Sequence, residues 1–165
     1  MKRRLFSILL ALCMTLTMLP ASAFAGESSY DSDITIKHSG WTFKSDKEVG
    51  YYIPTTNGKF SVNQPNSDSY LKVAKTGENE ITITVHGNVN ISVNKRDTIK
   101  SIKNLIITGA TDGENSLSLS TTKDGTAISV LGDLTVTGIT LTATAGNGPA
   151  LRANNITISN ATLDV

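Results

Sequence analysis

GTAISVLGDLTVTGITLTA, residues 125–143, and GPALRANNITISNATLDV, residues 148–165, are two copies of one pattern. Ala127 aligns with Ala150, Leu134 with Ile156 and Leu141 with Leu163, at an offset of 23 that becomes 22 after a one-residue slip. Each copy consists of short apolar–Thr–apolar runs bounded by Gly, Asn or Asp, and this period-two alternation predicts β-strands. The pattern therefore indicates a repeating all-β unit.

Earlier parts of the chain carry the same phrase, in GNVNI at 87–91 and in NLIITG at 104–109. An inserted loop at 110–116 then delays the next strand. One such unit cannot bury its apolar side chains alone, but stacked units pair strand on strand and enclose a continuous apolar interior. We predict a parallel β-helix, or solenoid, with about 22 residues per coil over residues 80–165. Val165 falls where a strand should continue, so we expect the solenoid to be truncated at the C-terminus.

Two segments precede the repeat. Lys2, Arg3 and Arg4, the apolar run 5–19 and the small residues 21–25 have the pattern of a secretory signal peptide, with cleavage expected after Ala25. Residues 26–79 hold most of the aromatic residues and show no clean repeat. We interpret them as an irregular β-rich cap, because the first coil of a solenoid exposes a strand edge that must be covered.

Charge and cysteine content narrow the classes of function. Removing the three basic leader residues leaves 12 Lys and Arg against 14 Asp and Glu, a balance that argues against a nucleic-acid partner. The only cysteine, Cys13, lies in the leader, so no disulfide is expected in the exported part. No segment after the leader is long and apolar enough to span a membrane. We expect an extracellular or cell-surface location.

Two sets of residues are candidate sites. Asp112, Glu114 and Asn115 in the inserted loop, with Asp124 after the next strand, are candidate calcium ligands, because calcium takes several oxygen ligands. Their spacing matches no standard calcium motif, and solvated polar turns are the alternative. A candidate sugar-stacking platform consists of Trp41, Tyr51, Tyr52 and Tyr70. The alternative for these aromatic residues is the core of the cap. No cofactor other than calcium is suggested.

Catalysis has little support in the sequence. Polysaccharide hydrolysis uses two carboxylates that face the scissile bond. No two acidic residues of the repeat, such as Asp97, Asp124 and Asp133, fall at equivalent places in adjacent coils. We therefore predict no catalytic residues and no enzyme activity in this chain.

The repeat also resembles a known group of proteins. GDLTVTG at 132–138 and NITISN at 155–160, with GTAI at 125–128 and GPAL at 148–151, resemble the coils of bacterial cell-surface parallel β-helix repeat proteins. Some of these are classed as carbohydrate-binding β-helix domains. In the sugar-binding members the resemblance implies calcium near an acidic polysaccharide site. No acidic cluster of this chain matches such a site, so no ligand residue is carried over.

The expected function is that of a secreted or cell-surface, non-enzymatic β-solenoid that binds polysaccharide or host glycan. Two alternatives stay open at this point: a structural stalk or adhesin repeat module, and the N-terminal part of a β-helix polysaccharide lyase or hydrolase.

Overall fold

The computed structural model describes residues 33–38, 41–44, 49–54, 58–94 and 96–165, with the side chains of 38 and 41–44 excepted. The predicted leader, residues 1–25, lies outside the described residues, and so does the side chain of Trp41. Within the described residues the secondary structure is entirely β, as the sequence predicts. The strands are β1 (Ile34–His38), β2 (Trp41–Lys44), β3 (Val49–Ile53), β4 (Lys59–Ser61), β5 (Tyr70–Gly77), β6 (Glu80–His86), β7 (Asn88–Val93), β8 (Ile99–Ser101), β9 (Asn104–Gly109), β10 (Ser116–Thr121), β11 (Ile128–Val130), β12 (Leu134–Thr137), β13 (Thr140–Ala145), β14 (Leu151–Arg152), β15 (Ile156–Ser159) and β16 (Thr162–Asp164).

From β6 onward the chain winds through about four coils and forms three parallel sheets. Sheet 1 stacks β6, β9, β12 and β15, sheet 2 stacks β7, β10, β13 and β16, and sheet 3 stacks β8, β11 and β14. The predicted parallel β-solenoid is confirmed.

The coils average about 24 residues, slightly more than the 22 read from the last repeat. Asp133 and Asn155, in the third and fourth coils, are 22 positions apart, as predicted. Asn88 and Ser116, in the first and second coils, are 28 positions apart, because the β9–β10 connection is longer than the others at that corner.

Alternate strand residues form the core, as the period-two pattern predicts. Leu134, Val136 and Ile128 are fully buried, and Leu141 stacks on Leu163 in register. Ile156 and Ile158 pair in register with Leu134 and Val136, but they are 44% and 37% exposed. They are exposed because β15 is the edge strand of sheet 1 in the described part of the chain.

The N-terminal strands extend two of the sheets through antiparallel pairing. β5 pairs antiparallel with β6, and β3 and β4 follow it in sheet 1. β1 pairs antiparallel with β8, and β2 follows it in sheet 3. β5 and β1 thus pair with the first coil's edge strands in sheets 1 and 3, and we refer to β1–β5 as the cap.

Left-handed backbone positions recur where sheet 1 passes into sheet 2, which we call corner 1–2. Gly87, Gly138 and Asn160 occupy this corner in the first, third and fourth coils, with φ of 63°, 61° and 47°. Gly and Asn tolerate positive φ better than other residues. The sequence alignment of Gly138 with Asn160 thus reflects one backbone conformation repeated along the solenoid.

Candidate functional site

The predicted aromatic platform is divided between two sides of sheet 1. Tyr52 is fully buried and packs on Phe60, with ring centroids 4.9 Å apart. Burial raises the pKa of its phenol above the usual range. A ring enclosed in the core cannot stack on a sugar, so Tyr52 is a core residue of the cap.

Tyr51 and Tyr70 lie on the other side of the same sheet. The Tyr70 ring stacks on His86 at 4.2 Å, and the Tyr51 ring meets it edge-on at 5.9 Å. Gln64 Nε2 donates a hydrogen bond of 3.1 Å to the Tyr70 hydroxyl. Because Tyr70 is only 5% exposed, this cluster offers part of Tyr51 to solvent and little of Tyr70.

The four candidate calcium ligands do not come together. Asp112 is exposed, with its carboxylate 3.8 Å from His86 Nδ1. Asp124 lies beyond the far end of β10, where it accepts a hydrogen bond from Asn147 Nδ2. A six-residue strand is about 20 Å long, too far for shared coordination of one ion. Within the described residues, His, Cys, Asp and Glu form no group of three or more that could hold a metal.

Asn115, the third candidate ligand, organises the inserted loop instead. Its Nδ2 donates to the carbonyl oxygens of Ala110 and Gly113, both at 2.8 Å, and its Oδ1 accepts from the Gly87 N–H at 2.8 Å. The side chain is 9% exposed. With donors and acceptor engaged by backbone, it fixes the loop onto corner 1–2.

This loop distinguishes the second coil from the others. Corner 1–2 is turned by Gly87 alone in the first coil, by 138–139 in the third and by 160–161 in the fourth, but by 110–115 in the second. The longer connection lies beside the corners of the following coils and forms one wall of a groove of about 570 Å³. Loop insertions in repeat folds concentrate on the face that binds a partner.

A row of uncharged polar side chains also lines the groove. Asn88, Ser116, Thr140 and Thr162 are the first residues of successive sheet 2 strands and pair in register. Neighbouring strands are about 4.8 Å apart, so the row presents one hydroxyl or amide at each such step along the solenoid. Ser116 Oγ donates to Asn88 Oδ1 at 2.7 Å, which orients part of this row.

The rest of the groove combines a carboxylate with small apolar surface. Glu114 contributes an exposed side chain from the loop, and half-buried Ala161 contributes a small apolar surface at the fourth corner, while Ile139 at the third corner is almost completely buried. We call the groove formed by the loop, the polar row and these corner residues the corner groove. Such a surface can exchange hydrogen bonds with a hydroxyl-rich ligand and cover its C–H groups.

One repeated feature of the sequence lies at this groove. The motif Gly-Ile-Thr at 138–140 repeats as Asn-Ala-Thr at 160–162, which places a Thr just after each corner. The calcium hypothesis considers the polar residues of the inserted loop by themselves, whereas the Thr that follows each corner repeats along the solenoid and lines the groove.

Comparisons with protein-family models, curated proteins and solved structures give no match. Among the described residues, no helix has the length and apolar character needed to cross a membrane.

Proposed function

We propose that this protein is a secreted or cell-surface, non-enzymatic solenoid that binds a polysaccharide chain in the corner groove. The observation that carries the proposal is the inserted loop, held in place by Asn115 beside a row of hydroxyl and amide groups. The other three coils turn corner 1–2 with one or two residues, so stacking of the coils does not require a connection of this length.

The chemistry of the groove suits an uncharged sugar chain. Sugar hydroxyls both donate and accept hydrogen bonds, and so do the hydroxyls of Ser116, Thr140 and Thr162. The Glu114 carboxylate accepts hydrogen bonds from two neighbouring hydroxyls, and such bonds to a charged group are stronger than neutral ones. A chain that follows the solenoid axis would meet a polar group at each coil, so affinity would grow with chain length.

The proposed location follows from the leader-like N-terminus, since an exported protein meets polysaccharides of its own envelope, of a host or of its surroundings. The non-enzymatic role is supported by the use of carboxylates in turns. Asp97 accepts a hydrogen bond from the Thr126 N–H, and Asp133 accepts one from Asn155 Nδ2.

Affinity gel electrophoresis of the purified protein through soluble polysaccharides, with pull-down on insoluble ones, tests the proposal. Both assays are run with calcium and with a chelator. Thr140→Val removes one groove hydroxyl without changing side-chain shape, and losing one hydrogen bond should weaken binding about three- to tenfold. Glu114→Gln should weaken it by at least as much.

The matched control is Thr135→Val, which makes the same change on the outer face of sheet 1, away from the groove. The polysaccharide should retard this variant in the gel as much as it retards the wild type. Equal effects of the two valine variants would show that the corner groove is not the site. If no polysaccharide retards the wild-type protein, a stalk role replaces the proposal.

A further inference from the structure

The outer surface of sheet 3 and its adjoining turn carry a concentration of positive charge. Lys100 on β8, Ser129 on β11 and Arg152 on β14 lie in register on the outward side, with Lys37 of β1 beside them. Arg96 projects from the turn that leads into β8. We call Lys37, Arg96, Lys100 and Arg152 the basic face.

Of the carboxylates nearby, Asp97 acts on Lys37 but is also bound to backbone, and Asp33 pairs with two other lysines. Asp97 Oδ1 accepts a hydrogen bond of 2.9 Å from the Thr126 N–H, and Asp33 pairs with Lys103 at 3.0 Å and with Lys75 at 3.7 Å. In the described part of the chain, no carboxylate lies within ion-pair distance of Lys37, Arg96 or Arg152. Around Lys37, the positive charges of Lys37 and Arg96 therefore exceed the negative charge of Asp97, and Arg152 adds a further positive charge on the same face.

The excess has an electrostatic consequence within the fold. Burial lowers the pKa of the Lys37 amine, and the charges of Arg96 and Lys100 lower it further, while Asp97 acts in the opposite direction. Side chains that repel one another reduce the stability of the folded protein. An arrangement of this kind becomes favourable when an external anion lies among the cations.

Besides this charge repulsion, the backbone of Arg96 is strained. Its φ is 76°, in the left-handed region that residues other than Gly, Asn and Asp rarely adopt. Gly125 and Gly148 occupy the equivalent turn in the next two coils, where a Cβ would collide with the carbonyl oxygen of the preceding coil. The first coil has no coil before it in the described residues, so a side chain fits there, although Gly would suit the backbone better. Strained residues of this kind are found mostly at functional sites.

We infer that the basic face binds a sulfated polysaccharide. Lys37, Arg96 and Lys100 come from a strand, a turn and a second strand, and the charges of Arg96 and Lys100 both act on the Lys37 amine, so the three cations are neighbours. A sulfate half-ester has three terminal oxygens and a permanent negative charge, whereas a carboxylate has two oxygens in one plane. Arg and Lys both bind tetrahedral oxyanions well.

Arg152 points to a polymer rather than to a single ion. It lies two strands beyond Lys100 along the solenoid axis, a distance of about 10 Å. A sulfated chain that follows the axis would place one sulfate at the cluster and another at Arg152, with the Ser129 hydroxyl between them. This face is separate from the corner groove, and the inference does not rest on polysaccharide binding there.

Dextran, carboxymethyl-dextran and dextran sulfate share one sugar backbone and differ in their charged groups. Comparing them shows whether binding depends on the sugar, on negative charge in general or on sulfate. Binding to each is measured by biolayer interferometry at physiological ionic strength. We expect dextran sulfate to bind most tightly, carboxymethyl-dextran weakly and dextran not measurably. Arg96→Gly and Lys37→Gln should each weaken dextran sulfate binding about tenfold through loss of a charged contact.

Thermal melts distinguish this role from a structural one. Arg96→Gly removes the left-handed strain and Lys37→Gln removes a repelled charge, so both variants should melt no lower than the wild type. Lys59→Gln, on β4 of sheet 1, removes the same charge elsewhere and should keep full affinity. Thr140→Val in the corner groove should also keep it.

Three results would overturn the inference. They are absence of dextran sulfate binding by the wild type, equal affinity for carboxymethyl-dextran, and equal losses in Lys59→Gln and Lys37→Gln. Failure of the corner-groove experiment would leave the inference intact, because the two tests use different variants and ligands.

Discussion

Replacing Asn115 with alanine removes the side chain that ties the inserted loop to corner 1–2. Its carboxamide makes three hydrogen bonds of 2.8 Å to the backbone of Gly87, Ala110 and Gly113, and it is 9% exposed. Each such bond contributes about 1 kcal/mol, so the variant should lose about 3 kcal/mol of unfolding free energy. Water that enters the vacated space would restore part of the bonding, which sets a lower bound of about 2 kcal/mol.

Urea denaturation followed by circular dichroism measures this change, because the shift of the midpoint multiplied by the slope gives the free-energy difference. Asn90→Ala is the matched control, since Asn90 is an exposed residue on the outer face of β7. It should cost less than about 0.5 kcal/mol. Equal destabilisation by the two substitutions would refute the assigned role of Asn115, and so would loss of clearly less than about 2 kcal/mol in Asn115→Ala.

Leu134→Asp places a charge among the apolar side chains of the core and should reduce the unfolding free energy by about 4 kcal/mol or more. Thr135→Asp, on the outer face of β12, should reduce it by about 1 kcal/mol or less. Equal melting temperatures of the two variants would mean that the inward and outward sides of β12 are assigned wrongly. Gly138→Ala should reduce the unfolding free energy by about 1 kcal/mol, because φ is 61° but no atom lies within 4 Å of the added Cβ. Gly109→Ala should reduce it by about 2 kcal/mol or more, because its Cβ would collide with the Gly138 carbonyl oxygen. The reverse order in urea titrations would contradict the corner geometry. Because burial raises the pKa of Tyr52, the folded state favours the neutral phenol. The contribution of Tyr52 to the unfolding free energy is therefore complete below the phenol's pKa in the unfolded chain, about 10, and decreases as the pH rises above that value. Tyr52→Phe should reduce that alkaline decrease in thermal melts, and an unchanged pH profile would show that Tyr52 is not its source.

The repeat in the sequence contained most of the information on the solenoid. The alignments of Leu134 with Ile156, Val136 with Ile158 and Leu141 with Leu163 are strand pairs in the structure. They could be predicted because a strand in a coil must match its neighbours in both register and facing, and side-chain alternation records both.

The cap was less predictable because its contacts are not repeated. Alternation shows that Tyr51 and Tyr52 face opposite sides of a strand, but it does not show which side is covered. The answer depends on the antiparallel pairing of β3 with β5, which brings Tyr52 beside Leu71 in the core. No feature of residues 49–53 alone specifies that partner.

The corner groove depends on residues far apart in the chain. The loop at 110–115 lies beside Thr140 and Thr162 because coils of unequal length still stack in register. Polar loop residues such as Asp112 and Glu114 suggest metal binding when they are considered as a local motif. Only the stacking shows that Asn115 is engaged by backbone and that Asp124 lies at the other end of a strand.

Two-dimensional NMR of the labelled protein, titrated with an oligosaccharide of whichever polysaccharide is retained, shows where on the solenoid the sugar binds. We expect chemical-shift changes confined to the corner groove, largest at the amides of Glu114, Ser116, Thr140 and Thr162. Changes centred instead on Tyr51 and Tyr70, or spread over the solenoid without preference for the groove, would contradict this expectation.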